Sequence, residues 1–371
     1  MLLAASVYTM QNERLRARWK LEGGLPPVPG QKVSTTPAVP VVPAAPLPLT
    51  WLKENYRSLP SDHLGPTFTA RSDYAGTFVV YDWDRRTQIW QSDWGDLLAN
   101  PAGYCFADGF LYMNDFEAGN IFRIGLDADP GRLLQRISHP HFNDLHSLER
   151  TRRGLLAAAS GTDLVIEVDL NGEVLWEWWA AEHGYSVTPS GDERPSGRGG
   201  EHRNRYYHTR YQSTHVNCAT VRDPDQERFI LCLLFHQGQL IQIDRSLPPG
   251  QQHGQILLEG LARPHSLEKI PGGWILCNSL SKELVLLDDE LRVSGTVFYD
   301  GGWIQDCTRL PNGNILLNDV DNTVLVEFAP PDWQIVSRTD YPGTWRMGEL
   351  VVVPEQHEEA FLRAQNPVAV G

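Results

Sequence analysis

The 371-residue chain has few cysteines, little basic charge and no long apolar run, and each shortage excludes a class of protein. Its five cysteines are odd in number, widely spaced and without a CxxC pair. We therefore expect buried free thiols instead of a disulfide framework or a structural zinc site. The net charge of −14 would repel phosphates, which argues against a nucleic-acid partner. Because no run of about 18 apolar residues occurs, no membrane span is predicted.

The signatures of several common enzyme classes are also missing. No phosphate-binding loop, GxSxG elbow or dinucleotide fingerprint occurs in the sequence. The first ten residues are mildly apolar, but basic residues follow this stretch instead of preceding it, which is the wrong order for a secretory signal. We therefore expect a cytoplasmic protein that acts on a small molecule; the sequence does not predict an oligomeric state.

The N-terminal part of the chain is rich in proline, with eight prolines between residues 26 and 48. Proline fixes its own backbone and cannot donate a hydrogen bond to a helix or a sheet. This stretch is therefore predicted to be an extended strap. We expect residues 1–50 to form an N-terminal arm and residues 51–371 to form one large domain.

From about residue 76 the chain consists of short strands rich in Val, Ile, Leu and aromatic residues, separated by turn residues. Similar units of these strands begin at Pro101, His146, His215, His265 and Gln305. Four strands in roughly 40–50 residues are typical of a β-propeller blade. The segment after Gly348 and the strands near residue 77 can complete a blade shared by both termini. The sequence predicts an all-β, six-bladed β-propeller, with five or seven blades as alternatives.

Three of the repeat units begin with a histidine, at His146, His215 and His265, and Gln305 holds the same position in the next unit. Since the inner strand of each blade lines the axis, these side chains are predicted to converge near the channel mouth. Neutral imidazoles can ligate iron or copper, and histidine can also act as a nucleophile or a general base. Protonated imidazoles can bind an anion. In a plainer interpretation, each histidine only caps its strand.

Several segments resemble the bacterial arylsulfotransferase-like propellers. They are STHVN around His215, the pair His236-Gln237 before an apolar strand, and the segments DLNGEVLW and PNGNIL. The resemblance covers roughly residues 140–330. It implies that a histidine on the axis, His265, carries a sulfuryl group to a phenol without a cofactor.

The resemblance also implies roles for other residues. His146, His215 and Asn217 would assist the nucleophile, while Gln305, His236 and Phe235 would contact the substrate. The chain departs from the family at Phe235, because the family has an arginine directly before the His-Gln pair. A guanidinium suits a sulfate group, since it offers positive charge and paired donors.

A basic insert at residues 182–214 could supply the missing positive charge. Because it leads directly into His215, it is predicted to lie over the channel mouth. Its candidate substrate-binding residues are Arg203, Arg205, Arg210 and Tyr207. In the alternative interpretation, the insert is a solvated loop whose charges balance an acidic rim or make an oligomer contact.

Three functions follow as hypotheses from these patterns. The first is an arylsulfotransferase-like enzyme with a covalent intermediate on His265. The second is a metalloenzyme in which His146, His215 and His265 hold iron or copper for oxidative chemistry. The third is a non-catalytic binding or assembly propeller. The resemblance favours the first.

Overall fold

The computed structural model of the chain describes residues 1–9, 67–69, 76–92, 101–115, 119–126, 130–203, 205–207, 209–341 and 345–364. In chain order the first thirteen strands are β1 (Leu2–Thr9), β2 (Thr67–Thr69), β3 (Gly76–Asp82), β4 (Thr87–Gln91), β5 (Pro101–Ala107), β6 (Phe110–Asp115), β7 (Asn120–Gly125), β8 (Leu133–Ser138), β9 (Leu145–Arg150), β10 (Leu155–Ala159), β11 (Leu164–Val168), β12 (Val174–Trp179) and β13 (Arg205–Tyr207). The others are β14 (Val216–Val221), β15 (Phe229–Leu234), β16 (Gln239–Asp244), β17 (Gln255–Leu258), β18 (Pro264–Ile270), β19 (Gly273–Asn278), β20 (Glu283–Leu287), β21 (Val293–Phe298), β22 (Ile304–Arg309), β23 (Ile315–Asp319), β24 (Val324–Ala329), β25 (Gln334–Asp340) and β26 (Trp345–Val352). Helix α1 spans Glu355–Arg363.

Six antiparallel sheets of four strands form a six-bladed β-propeller, as the repeats predict. Five blades are continuous in sequence, namely β5–β8, β9–β12, β14–β17, β18–β21 and β22–β25. Their first strands are the innermost, and β5, β9, β14, β18, β22 and β26 contact one another in that order. Contacts between β26 and β5 close the ring. This arrangement places the beginning of every inner strand at one end of a central channel.

The sixth blade combines the two ends of the chain in the order β26-β1-β3-β4. The sequence correctly predicted an inner strand after Gly348 and outer strands near residue 77. It wrongly placed the first residues in an arm outside the propeller, because β1 pairs with both β26 and β3. The reason is that β1 is apolar on both faces, and its Leu3, Ala5 and Val7 are fully buried. The predicted proline-rich strap lies outside the described residues.

Apolar side chains between neighbouring blades form the core. The layer between the first two continuous blades, for example, joins Tyr112 and Ile121 to Leu155 and Ala157. Residues on both faces of the middle strands are buried, which explains why those strands are continuous apolar runs in the sequence. In the sixth blade, α1 packs Phe361 against Trp90, with ring centroids 5.4 Å apart.

Two smaller features agree with the composition. Among the described residues no helix has the length and apolar character needed to cross a bilayer. All five cysteines are free, and four of them are buried, as expected for thiols that act as small apolar side chains.

Candidate functional site

A cavity of about 320 Å³ lies on the propeller axis. Its wall consists of residues from all six inner strands, and four predicted site residues belong to it: His146, Asn217, His265 and Gln305. His215 is not part of this wall, but its ring centroid lies 4.5 Å from that of His146. The structure therefore brings the predicted axial residues to one end of the channel, where the inner strands begin.

His146 and His265 are held in the same way by equivalent residues of their blades. The Nδ1 of His146 lies 3.1 Å from the carbonyl oxygen of Asp144, and the Nδ1 of His265 lies 3.0 Å from that of Arg263. A serine hydroxyl completes each contact, 2.9 Å away at Ser160 and 2.8 Å away at Ser279. Because a carbonyl oxygen only accepts, each Nδ1 carries the proton and each Nε2 carries a lone pair.

His215 has the same tautomer, but its partner is a side chain of the insert. The amide nitrogen of Gln212 donates to Asp144 Oδ2 and to the carbonyl of Tyr207, so the Gln212 oxygen accepts from His215 Nδ1. The backbone of His215 is left-handed, with φ of 49°. Asp163 stabilises this turn by accepting from the backbone N–H of His215 at 2.9 Å.

All three histidines are neutral at physiological pH. Burial lowers the pKa of His146 to about 4 and the pKa of His265 to about 3. Burial, followed by the nearby imidazole of His146, holds the pKa of His215 well below its usual range. Uncharged imidazoles do not bind anions by charge, so this predicted use of the cluster is not supported.

Aromatic rings contact two of the three histidines. Phe235 contacts both His215 and His265, with ring centroids 4.9 Å and 5.3 Å away respectively. Trp303 contacts His265 at 5.4 Å and Phe235 at 6.5 Å. We call Phe235, Trp303, His215 and His265 the aromatic layer. His265 belongs both to this layer and to the cavity wall.

The residues present do not fit the predicted iron or copper centre. Within the described part of the chain, no three His, Cys, Asp or Glu side chains are placed to hold one metal ion. Phe235 contacts the rings of both His215 and His265.

Two neutral polar side chains of the wall complete the site. Asn217 donates from Nδ2 to the carbonyl oxygen of Pro264 at 2.8 Å, while its Oδ1 has no hydrogen-bond partner among the described residues. Gln305 accepts at Oε1 from the indole nitrogen of Trp303 at 3.0 Å. Asn217 therefore retains an acceptor for a ligand, and Gln305 orients Trp303.

The insert lies at the predicted end of the ring, but its described side chains are not part of the cavity wall. Arg203 pairs with Glu201 and contacts Ser138, and Tyr207 is buried against His202 with 2.9 Å between its hydroxyl and Nδ1. Both residues were predicted to bind substrate, and the structure instead gives them partners within the fold. Arg210 is half-buried in a short 3-10 turn, and the side chain of Arg205 lies outside the described residues.

An arginine that sequence reasoning missed lies beside the aromatic layer. The guanidinium of Arg263 stacks over Phe235 at 4.6 Å and donates to His236 Nδ1 at 2.7 Å. His236 in turn donates from Nε2 to the carbonyl of Thr209 at 2.8 Å. The sequence could have indicated Arg263 as a residue near the site, because it precedes His265 by two residues, as Asp144 precedes His146.

Four carboxyl groups that the sequence analysis also missed line the cavity further from the histidines. They belong to Glu149, Glu268, Asp306 and Glu349, and each accepts a backbone N–H from the next blade, at distances from 2.6 to 3.4 Å. Burial raises the pKa of Glu149 and of Asp306 to about 7. These carboxyl groups link neighbouring blades. In the sequence, the repeated motif HSLE marks two of the four, Glu149 and Glu268.

Comparison with known proteins shows the fold of the chain but neither its family nor its function. No family model and no curated protein matches the chain. A chain in the crystal structure of a nidogen/laminin complex is 10% identical, with a TM-score of 0.54 over 76% of this chain and 96% of that one. The WD40 β-propeller domain of Doa1 (10% identity, TM-score 0.48, 76% and 90% covered) and the periplasmic gluconolactonase of Pseudomonas aeruginosa (16%, 0.47, 76% and 81%) are also similar. The resemblance to arylsulfotransferase-like propellers stays a prediction.

Proposed function

We propose that this propeller is an arylsulfotransferase-like enzyme that moves a sulfuryl group from an aryl sulfate to a phenol through His265. The observation that carries the proposal is the state of His265, a neutral imidazole whose Nδ1 is bound to the Arg263 carbonyl. Its Nε2 therefore has a lone pair at neutral pH. The resemblance around His215 and His236 supports sulfuryl transfer as the reaction.

In the first step, His265 Nε2 attacks the sulfur of the aryl sulfate. An N–S bond forms while the bond from sulfur to the aryl oxygen breaks, and that oxygen leaves with the bonding electron pair as a phenolate, which takes its proton from water. The Nδ1–H of His265 remains bound to the Arg263 carbonyl, which stabilises the positive charge that develops on the ring.

In the second step, the hydroxyl of a phenol attacks the same sulfur. An S–O bond forms, the N–S bond breaks, and Nε2 regains its lone pair. The phenol proton passes to a neutral base of the site, for which His146 is suited because its Nε2 also carries a lone pair. The burial that makes His265 a weak base also makes it a good leaving group in this step. No atom is oxidised or reduced.

The aromatic layer and Asn217 support an aromatic substrate. Phe235 and Trp303 both contact His265 edge-to-face, and aromatic surface beside the nucleophile favours an aromatic ligand. The unpartnered Oδ1 of Asn217 can accept from a phenolic hydroxyl. A buried acceptor without a partner costs free energy, so a ligand that donates to it would bind more tightly.

The test is the release of 4-nitrophenol from 4-nitrophenyl sulfate in the presence of phenol. We expect His265→Ala to reduce turnover to background, while His253→Ala, at an exposed histidine, has no effect. Turnover that survives in His265→Ala would overturn the proposal, and so would the absence of turnover by the folded wild-type protein with a series of aryl sulfates.

A further inference from the structure

The inner strands share a position that links each blade to the next one. It directly follows the axial position, which His146, His265 and Gln305 hold. In β9 and β18 the residue at the linking position is a serine. The hydroxyl oxygen of Ser147 or Ser266 accepts a backbone N–H of the next inner strand, at 2.9 and 3.5 Å respectively. A hydroxyl is therefore sufficient for this structural role.

In β22 and β26 the residue at the linking position is a carboxylic acid. Asp306 accepts from the backbone N–H of Leu350 at 2.6 Å, and Glu349 accepts from that of Tyr104 at 3.4 Å. The two strands are neighbours in the ring. Because a serine makes the same link elsewhere, these two acids add negative charge that the link itself does not require.

Glu349 has fewer partners than the other carboxyl groups of the cavity. In addition to the backbone N–H, a hydroxyl group hydrogen-bonds to each of Glu149, Glu268 and Asp306. Glu349 has only the long bond from Tyr104 to its Oε2, and its Oε1 has no hydrogen-bond partner within the described part of the chain. Burial, followed by the charge of Asp306, holds the pKa of Glu349 well above its usual range. A cation bound beside both acids would stabilise their charged forms.

The wall of the axial cavity offers hydrogen-bond acceptors but, among its described residues, no lysine or arginine. Neither Asp306 nor Glu349 forms an ion pair with a described residue. Asn217, which is 5% exposed, is an independent acceptor in the wall, because its Oδ1 has no partner among the described residues. A ligand of this cavity should therefore bring hydrogen-bond donors and positive charge.

We propose that Asp306 and Glu349 bind the primary ammonium group of an aromatic amine in the axial cavity. An ammonium group has three N–H donors and a positive charge, so it can donate to both carboxylates at once. A metal ion fits less well, because no three His, Cys, Asp or Glu side chains of the described chain are placed to hold one. The ring of the amine is suited to the apolar side chains of Leu148, Leu267 and Leu350 in the same wall. A cavity of about 320 Å³ takes a small molecule.

As a statement about the substrate, this inference rests on the proposed function. His265 belongs to the wall of the same cavity, and its strand β18 is the neighbour of β22, which carries Asp306. A phenol with an aminoalkyl side chain would therefore bind with its ammonium group at the carboxyls and its hydroxyl toward His265. The ammonium group would also offset the negative charge that an aryl sulfate brings into this acidic cavity.

Binding of 2-phenylethylamine tests the site without turnover, because this probe has no phenolic hydroxyl. Dissociation constants are measured by calorimetry at pH 8, where an alkylamine is protonated and a carboxyl with a pKa of about 7, such as that of Asp306, is mostly ionised. The matched ligand is 2-phenylethanol, which has the same ring and chain but no charge. The variants Asp306→Asn and Glu349→Gln keep an acceptor oxygen for the backbone link. The matched control is Ser147→Ala, which loses the link of its own blade without a change of charge.

We expect the wild-type protein to bind the amine at least about 10-fold more tightly than the alcohol. Asp306→Asn and Glu349→Gln should each weaken amine binding by about 10- to 100-fold, the effect of losing a charge-assisted hydrogen bond, and leave alcohol binding unchanged. Ser147→Ala should change neither affinity. Equal affinity of the wild-type protein for amine and alcohol would overturn the inference, as would unchanged amine affinity in both acidic-site variants. Wild-type protein that binds calcium ions but not the amine would also overturn it.

The melting temperature distinguishes a carboxyl that binds a ligand from one that only links blades. Because burial raises the pKa of Glu349, the folded state is penalised at pH 8 relative to the unfolded chain, in which this carboxyl ionises freely. Glu349→Gln should therefore raise the melting temperature of the ligand-free protein at this pH. A lower melting temperature together with unchanged amine affinity would show that Glu349 only links blades. If circular dichroism shows that an amide variant is unfolded, Asp306→Ser or Glu349→Ser replaces it, because other blades carry serine at this position.

The ammonium site and the proposed reaction can fail separately. Amine binding that depends on Glu349 in a protein without sulfuryl transfer would leave the site standing and refute the reaction. For the reaction, 4-(2-aminoethyl)phenol and 4-ethylphenol are compared as acceptors of the sulfuryl group. We expect the amine to have a KM about 10-fold lower in the wild-type protein, and the difference to disappear in Glu349→Gln. Transfer with equal KM values for the two phenols would support the reaction and refute the inference about the substrate.

Discussion

His265 differs from an ordinary histidine because it is buried against two aromatic rings and has one nitrogen bound to the backbone. This surrounding explains its low pKa and the lone pair on Nε2. The repeat HSLE predicted that His146 and His265 would be equivalent, and the structure shows the same contacts around both. The sequence could not predict that Phe235 contacts both His215 and His265, because His215 lies in a left-handed turn that the repeat does not reveal.

The pH dependence of turnover should reflect the low pKa of His265. With a pKa of about 3, the nucleophile stays uncharged when the pH falls from 7 to 5. We expect kcat to change by no more than about twofold over this range, measured with an aryl sulfate whose charge is constant. A solvent-exposed histidine would instead lose activity around pH 6.5. A half-maximal rate near that pH, in protein that is still folded, would contradict the burial of the nucleophile.

Strand β1 belongs to the blade that joins the two ends of the chain. Its residue pattern explains why the sequence wrongly predicted an arm there. An N-terminal segment followed by many prolines is typical of an arm, but the apolar residues of β1 alternate between two buried faces. We expect Leu3→Ala to lower the free energy of unfolding by about 2–5 kcal/mol, since Leu3 is fully buried. Leu134→Ala, at an exposed leucine of an outermost strand, should change it by about 0.5 kcal/mol or less. Chemical denaturation of both variants provides the measurement, and equal effects would be inconsistent with β1 as a blade strand.

A buried ion pair is one of the contacts that hold the insert at residues 182–214. Arg194 contacts Asp163, and Asp163 also accepts from the backbone of His215, so the pair connects the insert to the axial site. Replacing Arg194 by methionine leaves a buried carboxylate without its cation, which costs about 3–5 kcal/mol. Arg198→Met, at a half-exposed arginine, should cost about 1 kcal/mol or less.

Limited proteolysis would show whether the loss of stability in Arg194→Met is confined to the insert. We expect cleavage within the insert of Arg194→Met before the propeller unfolds, because each blade packs on its neighbours independently of the insert. Uniform resistance of this variant, with unchanged stability, would mean that the ion pair does not hold the insert. The sequence predicted the end of the ring at which the insert lies, since the insert leads into His215. It could not predict which arginines have partners within the fold.

The whole molecule contains two sets of buried titratable groups with opposite effects on stability. The neutral histidines have lowered pKa values. Their contribution to the stability of the fold is therefore lost as the pH falls below about 6.5, where the unfolded chain binds protons first. The carboxyl of Glu149 has a pKa raised to about 7, so its contribution is complete below about pH 4.5 and is lost as the pH rises through 7. Between about pH 4.5 and 6.5 the two contributions therefore change in opposite directions with pH.

A single substitution isolates the carboxyl contribution. Glu149→Gln keeps an acceptor for the backbone N–H of Val221 but removes the ionisation. We expect it to raise the free energy of unfolding at pH 8 by about 1–3 kcal/mol and to have little effect at pH 4. Glu173→Gln, at an exposed glutamate, should have no effect at either pH. Thermal unfolding at both values measures this, and a destabilised Glu149→Gln at pH 8 would show that the carboxylate is needed in its charged form.

The repeats predicted six blades, with five or seven as alternatives, because four strands per unit leave few ways to bury apolar faces on both sides. The chemistry of the side chains at the axial site cannot be predicted from the repeats in the same way. It depends on the partners of each side chain, such as the carbonyl that fixes His265 and the ring that supports Arg263.

The central claim is that His265 carries the sulfuryl group, and the covalent intermediate tests it most directly. The protein is incubated with 4-nitrophenyl sulfate without a phenol acceptor, digested, and analysed by mass spectrometry. The account predicts that the peptide containing His265 gains the mass of one sulfuryl group and loses it again when phenol is added. A sulfuryl group on another residue, or release of 4-nitrophenol with His265 unmodified throughout, would contradict the account.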